Sequence, residues 1–142
     1  MVNYPIRFEG KALAEKEQDY WSLETSEGFE TSMSVPEEFG GDSANPSPED
    51  LFNASLNSCI LATFKVTAER KNLDYEKVRA ESETSLERNE DGRPVMKSAK
   101  VKITVSGIQD EQLGKEVAQI AEKNCFIHNS VMTDVQTEFE FE

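Results

Sequence analysis

Residues 45–59 read Asn45-Pro46-Ser47-Pro48-Glu49-Asp50-Leu51-Phe52-Asn53-Ala54-Ser55-Leu56-Asn57-Ser58-Cys59. This stretch opens a long helix. Ser47 is a good N-cap, because its hydroxyl can accept one of the free amide hydrogens of the first turn. Pro48 suits the first helical position, where its missing N–H costs nothing. Glu49 and Asp50 answer the positive end of the helix dipole. The helix is predicted from Pro48 to about Lys71. Phe52, Leu56, Cys59, Thr63 and Val66 recur at steps of four, three, four and three, the period of a buried stripe. Ala54, Ser55, Ser58 and Ala62 beside it are small enough to admit another backbone closely. Charge appears only at the far end, in Lys65, Glu69, Arg70 and Lys71. So apolar a helix belongs at the centre of a fold.

On the N-terminal side, strands are predicted at Val2–Phe8, around Tyr20-Trp21-Ser22-Leu23, and from Phe29 to Val35. Pro5 confines the first of these to an edge or an end. A loop at Gly40-Gly41-Asp42-Ser43-Ala44-Asn45-Pro46 leads into the helix. On the C-terminal side Val78, Ala80, Ser82, Thr84 and Leu86 alternate with polar residues. The turn Asn89-Glu90-Asp91-Gly92 follows, and Ala99, Val101, Ile103 and Val105 alternate on the return. Placing Glu83 opposite Lys100 and Glu81 opposite Lys102 keeps both apolar faces together, and it sets opposite charges across the strands. Asp110–Lys123 reads as a second helix with Leu113, Val117, Ile120 and Ala121 on its apolar face. Cys125–Val131 reads as a turn or short helix, and Val135–Phe141 as a last strand. Strands, helix, hairpin, helix and strand in that order predict an α+β fold with an antiparallel sheet, as one domain over residues 1–142.

Composition narrows the chemistry. The 142 residues carry 28 acids and 15 bases, a net charge of −13. That balance predicts no nucleic-acid partner and no anionic membrane surface. There is no apolar run near 20 residues and no basic-then-apolar leader, so a cytoplasmic protein is expected. Counting the printed sequence, residues 1–50 sum to −9, residues 51–100 to +1 and residues 101–142 to −5. The near-neutral middle holds the long helix. Cys59 and Cys125 are the two cysteines and His128 is the one histidine. Neither a zinc site nor a Ser-His-Asp triad is supported by those counts, and Gly40-Gly41 is not a phosphate loop. No cofactor and no metal are expected. On an apolar helix face a cysteine ordinarily packs as a small hydrophobe.

Gly40-Gly41 followed by residues 45–59, with Glu49 and Cys59 ten apart, resembles the signature of the OsmC/Ohr family, the osmotically inducible and organic-hydroperoxide-resistance proteins. Asn124-Cys125-Phe126-Ile127-His128-Asn129-Ser130 looks like the family's second cysteine motif. The resemblance implies an intertwined homodimer, with antiparallel sheets around two long central helices. It implies a thiol peroxidase for small organic hydroperoxides with its site at the subunit interface. Cys59 would be the nucleophile, Cys125 the resolving thiol reopened by a dithiol reductant, and Glu49 the holder of a thiolate-stabilising arginine. Ten residues of straight helix span about 15 Å, so Glu49 would meet the Cys59 of a partner subunit. Within residues 1–50 the one arginine is Arg7, on a predicted strand. Lys11 and Lys16 could supply charge there but not the guanidinium fork. The second reading is a non-catalytic scaffold of the same family, binding a small apolar or thiol-bearing ligand at the interface. Asn53 and Asn57 are read either as bonding across paired helices or as facing water. His128 is either a proton-transfer aid or a satisfied structural histidine. Trp21, Phe52, Phe64 and Phe126 are either pocket walls or core.

Overall fold

A computed structural model describes all 142 residues, which divide into two compact units, Met1–Phe52 and Asn53–Glu142. In the first unit, β1 (Gly10–Ala14), β2 (Trp21–Thr25) and β3 (Glu30–Met33) form an antiparallel meander in the order β1-β2-β3. The expected strand at Val2–Phe8 is absent. Those residues have no regular structure, and the strand begins at Gly10 instead. Pro5 lacks the amide a ladder needs, and β2 offers only five residues, which pair with Gly10 through Ala14. Gly, Lys and Ala are poor strand formers, so Gly10–Ala14 carries no local signal; pairing, with Lys11 opposite Glu24, makes it a strand.

After β3 a one-turn 3-10 segment at Glu37–Phe39 closes on Gly40, whose φ of 85° is left-handed. Gly41 follows against the chain's own backbone. A Cβ there would stand 1.6 Å from the Val35 carbonyl oxygen, so only glycine fits. The Gly-Gly pair is therefore a structural turn. The helix α1 (Pro48–Lys71) then starts as read. Its cap is reciprocal: the Asp50 amide donates to Ser47 Oγ at 3.2 Å, while the Ser47 amide and hydroxyl donate to Asp50 Oδ2 at 2.8 and 3.0 Å.

In the second unit, β4 (Lys77–Arg88) and β5 (Pro94–Ser106) form the expected hairpin, with Glu83 opposite Lys100 and Glu81 opposite Lys102. The ion pairs themselves lie elsewhere, Lys102 with Glu140 at 2.9 Å and Arg79 with Glu81 at 3.4 Å. At the turn, Asn89 Oδ1 accepts from the amides of Asp91 and Arg93, and Gly92 takes a φ of 78°. Two helices follow, α2 (Glu111–Lys123) and the five-residue α3 (Phe126–Ser130), then β6 (Asp134–Phe141). The sheet order is β4-β5-β6, and β6 lies parallel to β5, so this sheet is mixed. Two helices between consecutive strands carry the chain back to where it started, which permits a parallel neighbour.

The core of this unit is the inner face of β5 (Ala99, Val101, Ile103 and Val105) against α1 and α2 residues including Phe64 and Val117. Phe64 meets Tyr75 edge-on at 5.5 Å and Phe139 at 6.1 Å. On α1 the buried stripe is Leu56, Ile60, Phe64, Thr67 and Ala68, one position round from the predicted one. The middle of α1 is apolar on almost every side, so periodicity alone names no single stripe. Ile60 and Phe64 take the core because they remove the most apolar surface from water. Cys59, Thr63 and Val66 are left towards the open side.

Candidate functional site

The rotation of α1 sets up the site. Cys59, Thr63, Val66, Thr67, Arg70 and Lys71 line an open groove of about 550 Å³. Its other wall is Ile120 and Asn124 from the end of α2, and Phe126 from α3. Phe126 is 69% exposed for a large aromatic ring. Among the four aromatic residues weighed as pocket walls, Phe126 takes that role. Phe64 is fully buried core.

Cys59 and Cys125 come together. Both are free thiols, Cys59 half-buried in the groove wall and Cys125 fully buried behind it. Burial pushes the Cys125 thiol up to about 12, because a thiolate there would be stripped of water. The hydrogen bond and charge of the Cys59 sulfur add to the rise, while the amides of His128 and Ile127 oppose it. The Ile127 amide donates to Cys59 Sγ at 3.4 Å, and this ties α3 to the thiol of α1.

His128 follows immediately. Its Nε2 lies 3.0 Å from the Leu56 carbonyl oxygen, and with that oxygen as acceptor the ring donates from Nε2. The histidine is thus a brace between α3 and α1, one turn before Cys59, and holds the Ile127 amide in place. Asn124 closes α2 through a bond from its Nδ2 to the Ile120 carbonyl at 2.9 Å. Asn53 also acts within its own chain. Its Nδ2 donates to the Ser82 carbonyl at 3.3 Å and its Oδ1 accepts from Ser82 Oγ at 2.7 Å, pinning α1 to β4. Asn57 keeps a buried Oδ1 with no partner.

Glu49 belongs to the first unit, in the first turn of α1, where Ser47 and Asp50 make the cap and Glu49 takes no part in it. Its Oε2 is buried without a hydrogen-bond partner. Arg70 and Lys71, which in the sequence are charges at the end of the helix, border the groove only because the end of α2 supplies its facing wall.

The OsmC-like protein family model matches residues 40–140, and the chain belongs to that family. No curated protein matches the chain. Among solved structures, an OsmC-like protein of unknown function from Vibrio cholerae superposes with a TM-score of 0.87 at 22% identity, over 96% of this chain and 100% of that one. The organic hydroperoxide resistance protein OsmC from Legionella pneumophila gives 0.77 at 20% identity, over 99% of each chain. OhrB of Bacillus subtilis, an organic hydroperoxide resistance protein, gives 0.68 at 17% identity, over 96% and 98%. These likenesses are of fold and bear out the α+β architecture, while the family model bears out the family read from residues 40–59.

Proposed function

We propose that this protein is a two-cysteine thiol peroxidase for organic hydroperoxides. The observation that carries the reading is the order of the two sulfurs: Cys59 lines the open groove, and Cys125 is buried behind it as its neighbour. A peroxide entering the groove meets Cys59 first. The Cys59 thiolate attacks one peroxide oxygen, an S–O bond forms, the O–O bond breaks, and the alkoxide leaves as alcohol after taking a proton. Cys59 is then a sulfenic acid. Cys125 attacks that sulfur, water leaves with the proton of the Cys125 thiol, and a Cys59–Cys125 disulfide forms. An external dithiol reduces the disulfide and is itself oxidised. The raised Cys125 thiol is protonated at neutral pH, so its attack requires the proton to pass to the departing hydroxide as the S–S bond forms.

The same reading includes a homodimer in the cytoplasm, with Glu49 of one subunit serving the thiol of the other. Large apolar side chains left exposed in the first unit support a partner, among them Phe8, Leu13 and Phe29. So does the row of exposed small residues Ala54, Ser58 and Ala62 on α1. No helix is long and apolar enough to cross a membrane.

One stoichiometric equivalent of cumene or tert-butyl hydroperoxide should consume both thiols and give the intramolecular Cys59–Cys125 disulfide by peptide mass spectrometry. Cys59→Ser should abolish dithiol-dependent turnover. Thiols that survive the peroxide would sink the peroxidase. The second reading, a non-catalytic binder of a small apolar or thiol-bearing ligand, draws support from the partner of Cys59 Sγ, an amide and not a guanidinium. It predicts ligand binding in the groove with no peroxide-dependent oxidation in either protein.

A further inference from the structure

The short helix α3 is a weak support for a reactive thiol. It has five residues, none of them fully buried, and a helix that short has no stability of its own. The buried Cys125 anchors its start, and hydrogen bonds place the rest. Asn129 Nδ2 donates to the Lys123 carbonyl at 2.9 Å, which ties α3 back to the end of α2. His128 Nε2 donates to the Leu56 carbonyl at 3.0 Å, which ties it across to α1.

The tie to α1 falls beside the chemistry. Leu56 precedes Cys59 by three residues, nearly one helical turn, and Ile127 immediately precedes His128. The Ile127 amide lies in the first turn of α3, where a helix leaves its N–H groups without carbonyl partners of its own. It donates instead to Cys59 Sγ at 3.4 Å. An N–H aimed at a sulfur favours thiolate over thiol, because the charged form is the stronger acceptor. His128 cannot take the thiol proton at Nε2, since that nitrogen already carries the hydrogen it gives to Leu56.

We propose that His128 is a positioning residue for Cys59. Its bond to the Leu56 carbonyl holds the first turn of α3 against α1, so that the Ile127 amide hydrogen points at the sulfur and stabilises the thiolate. The role of the imidazole is that of a hydrogen-bond donor to backbone, not of a base. Its effect on the nucleophilicity of Cys59 stands without any substrate; its effect on turnover rests on the peroxidase reading.

Iodoacetamide tests this on the full chain. Alkylation of Cys59 is followed across pH by peptide mass spectrometry in wild type, His128→Ala and His128→Gln. Glutamine sets an amide nitrogen as many bonds from Cβ as Nε2 is, and it does not titrate. The other titratable groups of the groove and the wall behind it, Cys125, Arg70 and Lys71, are common to all three proteins. His128→Ala should move the midpoint of the profile up by about one pH unit, the size of a lost hydrogen bond to a charged group. His128→Gln should stay with wild type. Hydrogen exchange at the Ile127 amide should follow the same order, faster in His128→Ala and unchanged in His128→Gln. Three coincident profiles would overturn the proposal. So would an equal shift in both variants, which would give the imidazole itself the role, and so would faster Ile127 exchange with no change of midpoint. Cumene hydroperoxide separates this proposal from the peroxidase. If it oxidises wild-type Cys59 and the three profiles coincide, only the positioning role fails. If it leaves Cys59 reduced and the shift is found with its rescue by glutamine, only the peroxidase fails.

Discussion

At the scale of single residues, the two cysteines differ in surroundings more than in chemistry. Cys125 is fully buried and Cys59 is half in the groove, and a single amide from α3 touches the Cys59 sulfur. The burial of Cys125 has a consequence for stability. Its ordinary thiol value of 9.0 rises to about 12 in the fold. Below pH 9 folded and unfolded chains both hold the proton. Between pH 9 and about 12 the unfolded chain releases it and the folded chain keeps it. The unfolded state then binds fewer protons, so stability falls as pH rises through that window. Urea unfolding under reducing conditions should show this decline, and Cys125→Ala should show a shallower one from its own pH 8 value. Identical slopes would mean that burial does not hold the thiol. Both cysteines were legible in the sequence as a pair of motifs. The resemblance also made Cys59 the one to meet a substrate, but periodicity placed Cys59 on the inward stripe, and its position on the open groove was not legible from that pattern.

At the scale of elements, the Ser47 cap of α1 is legible in local sequence. The structure adds the reciprocal bonds of Asp50 and a second cap, Asp110, which precedes α2 and accepts from the Leu113 amide at 2.9 Å. The hairpin register was readable too, since slipping it by one residue would turn the apolar face outward. The parallel seating of β6 was not, because nothing in Val135–Phe141 says which neighbour it will choose. Asn53 gives the element-scale prediction. It joins α1 to β4 through two bonds to Ser82, so Asn53→Ala leaves the Ser82 hydroxyl and carbonyl without that partner. The cost should be about 1–3 kcal/mol. A lower urea midpoint at unchanged m-value would report it. A midpoint within error of wild type would mean that water replaces the asparagine freely.

At the scale of the whole molecule, the first unit poses the main physical question. Its meander of short strands keeps β1 exposed along its whole length. As the edge of the sheet, an open β1 is a ready template for pairing with a second chain. Sedimentation velocity should therefore give a species of twice the 16.0 kDa chain mass. Leu13→Glu, on exposed β1, should shift that equilibrium towards monomer, and a wild-type monomer at micromolar concentration would exclude the proposed homodimer. The net charge of −13 fits this picture. The net negative charge concentrates in the first and last thirds, while the middle, where nine bases balance eight acids, supplies the helix that carries both Cys59 and the small-residue face. The sequence by itself determined the element types from β2 onward, the start of α1, the hairpin register and the family, because caps, turns and alternation act over a few residues. Only tertiary structure decided which face of α1 is buried, that β6 runs parallel to β5, that β1 lies at Gly10–Ala14, and that Arg70 and Lys71 share a groove with Cys59. Those outcomes depend on competition for buried area and for strand partners among residues far apart in the chain, and no local pattern records them.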